Sequence, residues 1–244
     1  MDALSRPLQS DEVRVFYALT EALADPDLAR RCRATISAEE SAREQRFRFQ
    51  EDRDSYLLAH ALCRSVLSQL CGAGAPALQF EAGEHGRPEL TVPHCDPRLR
   101  FNISHTRGMV ACAVALEHDV GVDVERLDRR VQIAELAASV FSDAERAALA
   151  SLREDAQRAR FFELWTLKEA YIKAVGKGLA LRLSAITLEL HPGTQPRIAF
   201  APPVDDDPRA WWLHVRQPAP GYMLAAALRT PLPSRIAVER WLPR

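Results

Sequence analysis

Gly121-Val122-Asp123-Val124-Glu125 alternates aliphatic and acidic side chains. On a strand, Asp123 and Glu125 share one face, and Val122 and Val124 share the other. Two adjacent carboxylates repel unless a cation joins them, and hard oxygen ligands favour magnesium or manganese. A half-exposed strand with a solvated acidic face reads the same way. Downstream lies Trp165-Thr166-Leu167-Lys168-Glu169-Ala170-Tyr171-Ile172-Lys173. On a helix, Glu169 and Lys173 share a face, and Trp165 lies one turn before Glu169. A surface Glu–Lys pair on an amphipathic helix gives the same pattern. In Phe101-Asn102-Ile103-Ser104-His105-Thr106, Asn102 and Ser104 share a strand face, and His105 follows at a turn, where it can donate to a phosphate. Gly86-Arg87-Pro88 presents an arginine on a tight turn. Arg43, Arg46, Arg48 and Arg53 form a basic run whose forks suit phosphate, although solvated surface accounts for either arginine feature. All three lysines, Lys168, Lys173 and Lys177, fall within this one region, while the other basic residues are arginine. That bias points to a place needing a compact ammonium. Gly176-Lys177-Gly178 is not a Walker loop, and no G-x-G-x-x-G fingerprint is present.

The elements that must position these residues are readable twice. Val13 to Ala18 reads as a strand, Ser37 to Glu40 as a capping box, and Asp52 to Leu70 as a helix ended by Gly72 and Gly74. Strand-like Leu78 to Phe80 and Leu90 to Val92 flank a turn, and Phe101 to Ser104 and Gly108 to Leu116 form a strand pair. The order then repeats. Ser142 to Glu145 is a second capping box, and Arg160 to Val175 is a helix stopped by Gly176. Strands follow at Ile186 to Leu190, Ile198 to Phe200, Trp211 to Val215 and Gly221 to Leu228. The echoes lie roughly 105 to 115 positions apart. The expected fold is therefore α+β, as two similar α/β halves in a pseudo-twofold monomer. The halves are expected at residues 1–119 and 120–244, with the site in the cleft between them.

Composition narrows the function. The chain has 244 residues, 47% hydrophobic and 27% charged, with a net charge of −1. That predicts a packed protein with no global basic field, so nucleic acid is not an expected partner. The apolar runs are too short to span a bilayer, and the first twenty residues show no signal peptide. The five cysteines have no C-x-x-C spacing, which suggests neither zinc nor a disulfide framework. A cytoplasmic protein is expected.

Taken in order, these motifs resemble the surfactin-synthetase type of 4′-phosphopantetheinyl transferase, in the branch whose helix reads W-x-x-K-E-A. The resemblance runs from about Arg43 to Leu181. It includes R-F-x-F-x-x-D-R (Arg46 to Arg53), Y-L-L-A-H-A-L (Tyr56 to Leu62), G-R-P (Gly86 to Pro88) and F-N-I-S-H-T (Phe101 to Thr106). It continues through G-V-D-V-E (Gly121 to Glu125) and W-T-L-K-E-A-Y-I-K-A-V-G-K-G-L (Trp165 to Leu179), the two most specific motifs. Arg87 replaces the lysine of the family's usual G-K-P turn. The first forty and last fifty residues carry little signal.

The resemblance implies that a carrier-protein serine attacks the β-phosphate of coenzyme A, and 3′,5′-ADP leaves. It implies a magnesium ion, with manganese as a substitute, on Asp123, Glu125 and Glu169. Glu169, or a metal-bound water that it orients, would accept the serine proton. Lys173 would stabilise or protonate the leaving phosphate, and Lys168 would contact phosphate as a point charge. Arg43, Arg53, Arg87, Ser104 and His105 would complete the coenzyme A pocket. Partners would be acyl or peptidyl carrier proteins of fatty acid, polyketide or nonribosomal peptide synthesis. They would dock near Lys177, Leu179, Leu181 and Arg182. Trp165 is expected to be a buried aromatic whose loss destabilises the fold. Two rivals use the same residues. One is a magnesium-dependent hydrolase of coenzyme A or nucleotide pyrophosphates. The other is a non-catalytic carrier-protein-binding module, against which the intact acids and Lys173 argue.

Overall fold

The computed structural model describes residues 6–83, 86–176, 181–230 and 235–242. The first half comprises β1 (Glu12–Leu19), α1 (Pro26–Thr35), α2 (Ala38–Glu44), α3 (Gln50–Cys71), β2 (Gln79–Ala82), β3 (Pro88–Val92), β4 (Leu99–Thr106) and β5 (Met109–Leu116). The second comprises β6 (Val120–Arg126), α4 (Ile133–Val140), α5 (Asp143–Ala150), α6 (Glu154–Val175), β7 (Ile186–Glu189), β8 (Arg197–Phe200), β9 (Trp211–Arg216), β10 (Tyr222–Arg229) and β11 (Arg235–Arg240).

Local chemistry explains the main boundaries. Ser37 and Glu40 close a reciprocal capping box at the start of α2, and Ser142 and Glu145 close another at α5. Each box satisfies backbone N–H groups that a first helical turn leaves unpaired. The long helices α3 and α6 stop at Gly72 (φ 72°) and Gly176 (φ 75°). Both are left-handed, which glycine adopts at little cost.

The strands form two sheets, ordered β11-β1-β5-β4 and β6-β10-β9, with hairpins β2–β3 and β7–β8 beside them. Side-chain alternation assembles the layers. Phe16, Ala18, Val110, Cys112, Val114 and Phe101 pack under α3. Met223, Ala225 and Ala227 pack under α6. The opposite faces meet each other: Val13, Val15, Ala111 and Ala113 of one sheet join Val122, Val124, Leu224 and Ala226 of the other. The two sheets therefore lie back to back, with a long helix outside each.

At one seam the edge strands β4 and β6 are joined by side chains rather than by a backbone ladder. Val122 N donates to Asn102 Oδ1 (2.9 Å), and Val124 N donates to Ser104 Oγ (3.3 Å). Unpaired edge N–H groups are thus satisfied where the halves meet.

Each half also contains the same buried knot. In the first, Arg64 on α3 donates to Glu40 of the capping box and to the carbonyls of Ala75 and Leu78. In the second, Lys168 on α6 donates to Glu145 of the capping box and to the carbonyls of Leu183 and Ile186.

The elements extend the sequence expectations in three places. The helices expected from Asp52 and Arg160 begin earlier, at Gln50 and Glu154. The short helices α1 and α4 were not expected, since eight to ten residues give too little periodicity to read. Strand β11 runs parallel to β1, so a late segment returns to the first half's sheet. Trp241, just after it, joins the core beneath α3. Among the described residues, no helix is long and apolar enough to cross a membrane.

Candidate active site

Strand β6 turns Asp123 and Glu125 toward α6, while Val122 and Val124 enter the core between the sheets. The helix lies close against this strand. A Cβ at Gly121 would sit 2.0 Å from the carbonyl oxygen of Ala170 and 2.5 Å from the amide of Ala174. Only glycine permits that approach. The two helix residues it meets are the neighbours of Glu169 and Lys173, so the contact brings both onto the acidic face.

Lys173 Nζ donates to Asp123 Oδ1 (2.7 Å) and to Ser104 Oγ (2.8 Å). Ser104 itself donates to Asp123 Oδ1 at 2.9 Å. Glu125 Oε1 accepts from Arg129 (2.8 Å) and from Trp165 Nε1 (2.8 Å). Burial raises the Asp123 carboxyl above its ordinary value; Lys173 opposes that rise and Glu125 adds to it. Burial also raises Glu169, reinforced by the charges of Asp123 and Glu125 and opposed by Lys173. Three carboxylates thus feel one another around β6 and α6.

Asp123 Oδ2 is buried and accepts no hydrogen bond. A buried carboxylate oxygen without a donor, in a set of hard oxygen ligands, fits a small divalent cation. The set is not gathered as it stands: among the described residues, no three acidic, histidine or cysteine side chains are close enough to hold an ion. Lys173 and Arg129 hold two of the carboxylates instead.

The other expected site residues divide into groups. Ser104 belongs to the seam itself. His105 is exposed at the end of β4. Desolvation and then the nearby Lys173 and His60 push its imidazole below the ordinary value. Arg43 lies over the ring of Tyr56 (5.9 Å), and Tyr56 packs on His60 (4.1 Å between rings). Arg53 Nε donates to the carbonyl of Phe47 at 2.8 Å. Arg43 is on α2 and Arg53, Tyr56 and His60 are on α3; of these, His60 is near enough for its charge to reach His105.

Three expectations are corrected, those for Lys168, Arg87 and Trp165. Lys168 is not available to a phosphate: its side chain is fully buried. Its ammonium donates to Glu145 (2.6 Å) and to the carbonyls of Val140, Leu183 and Ile186. Burial lowers its pKa, and Glu145 opposes that fall. The signal was in the spacing, because five residues place Lys168 about 140° around the helix from Lys173. Arg87 spends its fork internally, donating to Asp119 (3.2 Å) and to the carbonyls of Ala174 (2.9 Å) and Val120 (3.0 Å). It ties the first half's turn to the junction and to the end of α6.

Trp165 is half-buried rather than a core aromatic, and it orients Glu125. Arg129 escaped the sequence reading, although it stands four residues from Glu125. Of the expected docking patch, Lys177 and Leu179 lie outside the described residues. Leu181 packs against the second half's core, and Arg182 is exposed.

Comparison with known proteins identifies the family. The family model described as the 4′-phosphopantetheinyl transferase superfamily matches residues 119–227. A model described as 4′-phosphopantetheinyl transferase, N-terminal, matches residues 26–117. The chain is 34% identical to the 4′-phosphopantetheinyl transferase HetI of Nostoc sp., over 69% of this chain and 71% of that protein. It is 32% identical to the 4′-phosphopantetheinyl transferase Sfp of Bacillus subtilis, over 80% of this chain and 83% of that one. A solved holo-(acyl-carrier-protein) synthase from Bacillus anthracis, in complex with CoA (3′,5′-ADP), aligns with 46% of this chain and 94% of its own. That alignment has 17% identity and a TM-score of 0.38. The chain belongs to the 4′-phosphopantetheinyl transferase family.

Proposed function

We propose that this enzyme transfers the 4′-phosphopantetheine arm of coenzyme A to a serine of an acyl or peptidyl carrier protein. The observation that carries the site is the buried, donorless Oδ2 of Asp123 among three mutually repelling carboxylates. Asp123, Glu125 and Glu169 would hold a magnesium ion, which supplies charge neutralisation to the pyrophosphate. Trp165 and Ser104 orient two of these ligands, the duty of outer-shell partners.

The serine oxygen forms a bond to the β-phosphorus, and the bridging P–O bond breaks. The electron pair leaves with 3′,5′-ADP. Glu169, whose carboxyl is raised by burial, is suited to accept the serine proton. Lys173, with a partly exposed ammonium, is suited to meet the charge on the leaving phosphate. Arg43, Arg53 and His105 would hold the nucleotide end of coenzyme A through charge-assisted bonds. The W-x-x-K-E-A helix favours the surfactin-synthetase branch. The internal repeat favours a monomer, since the second copy could supply what a dimer partner would, and a cytoplasmic location suits the substrates. Residues 1–119 and 120–244 are the proposed halves, with β11 returning to the first.

The isosteric changes Asp123→Asn, Glu125→Gln and Glu169→Gln test this reading. Each is expected to lower transfer more than about 100-fold, since even outer-shell changes cost 10–100-fold. Each should leave unfolding cooperative. Variants that keep transfer would show the acids to be dispensable to it, and variants that fail to fold would show them to be structural.

A further inference from the structure

We infer that Lys173 is a displaceable cation that stands in for the metal on Asp123 in the free protein, coupling metal binding to the arrival of coenzyme A. The inference rests on the reading of Asp123 as a metal ligand.

Lys173 Nζ lies 2.7 Å from Asp123 Oδ1, while Oδ2 of the same carboxylate has no donor. The ammonium therefore satisfies half of a buried anion and leaves the other half open. A buried carboxylate beside Glu125 and Glu169 needs positive charge nearby at all times, or it will take up a proton. Lys173 supplies that charge from within the chain. Its side chain is 28% exposed, whereas that of Lys168, on the same helix, is 0% exposed and wrapped by carbonyls. One lysine is held by two side chains at a partly exposed position, and the other is enclosed in the core. A divalent cation and an ammonium cannot share one carboxylate without repulsion. Lys173 must then find a new anion, and the pyrophosphate of coenzyme A is the one the reaction brings. The side chain that guards Asp123 in the free protein thus becomes the one that meets the leaving phosphate. Arg129, on Glu125, does the same duty from a more exposed position.

Reciprocity follows from linkage: if coenzyme A draws Lys173 away, it tightens metal binding, and the metal tightens coenzyme A to the same degree. Free Mn2+ measured by electron paramagnetic resonance at pH 8, with and without coenzyme A and with no carrier protein, reads this directly. In the wild type, coenzyme A is expected to tighten Mn2+ binding about tenfold. Lys173→Met should bind Mn2+ about tenfold more tightly than the wild type when coenzyme A is absent, and should gain less than the wild type does when it is added. Lys173→Gln should behave alike, which guards against a packing fault in either variant. Asp123→Asn should lose the site. If both Lys173 variants bind Mn2+ no more tightly than the wild type while Asp123→Asn loses it, the stand-in role is overturned and the metal site stands. If Asp123→Asn binds Mn2+ as the wild type does, the metal-site reading itself fails.

Discussion

Two lysines five positions apart have opposite lives. Lys168 is enclosed by Glu145 and three carbonyls, and Lys173 bridges Asp123 and Ser104 at the seam. Removing the buried charge should therefore act on stability. Lys168→Met is expected to cost about 3–5 kcal/mol, because Glu145 is left buried and unpaired. The coenzyme A KM of the folded fraction should be unchanged. Chemical denaturation and steady-state kinetics check the two halves of that statement; an unaltered midpoint with a raised KM would return Lys168 to the phosphate. The equivalent acid in the first half makes a pH prediction. Burial alone would raise Glu40, but bonds from His60, Arg64 and the Ser37 amide bring it down to about 2. A depressed carboxyl contributes stability that is present above its unfolded value and is lost as pH falls through the folded one. Glu40→Gln should therefore cost on the order of 2–3 kcal/mol at neutral pH. The gap to the wild type should close between about pH 4.5 and pH 2, as melting temperature against pH will report. At this scale, the acids of β6 were legible because a strand's alternation fixes which residues share a face. The fates of the two lysines were less so, because burial depends on what packs over the helix.

The elements meet where the chain permits close approach. Helix α6 rests on β6 at Gly121, and strands β4 and β6 are stitched by Asn102 and Ser104. Gly121→Ala places a methyl group 2.0 Å from a backbone oxygen that cannot rotate away. The helix must lift, at a cost of about 1–3 kcal/mol. Glu169 and Lys173 move with it. A 1 Å displacement of positioned groups lowers turnover about 100-fold. We expect a modest fall in melting temperature with a much larger fall in kcat; unchanged kcat would mean that α6 does not set the site. The glycine of G-V-D-V-E carried no visible reason in the sequence, because its reason is a helix some fifty residues away. The capping boxes, by contrast, were readable from four consecutive residues each, since their partners are local.

On the scale of the molecule, two versions of one unit lie back to back, and only one carries the acids. The pairing of β5 with β1 sets Cys112 opposite Phe16, where the pairing of β10 with β6 sets Ala225 opposite Asp123. Phe16 packs under α3 as ordinary core. The repeat was legible from capping boxes, glycine stops and small-residue strands. The return of β11 to β1 was not, because strand pairing across most of the chain's length leaves no local trace. The unit with acids is the one proposed to do chemistry, and the most direct test is the intact mass of an apo carrier protein incubated with this enzyme, coenzyme A and magnesium. A gain equal to one phosphopantetheine arm is expected, absent with EDTA and absent with Asp123→Asn. Coenzyme A consumed with no mass gained on fatty-acid, polyketide or peptide carriers would contradict it and point to water as the acceptor.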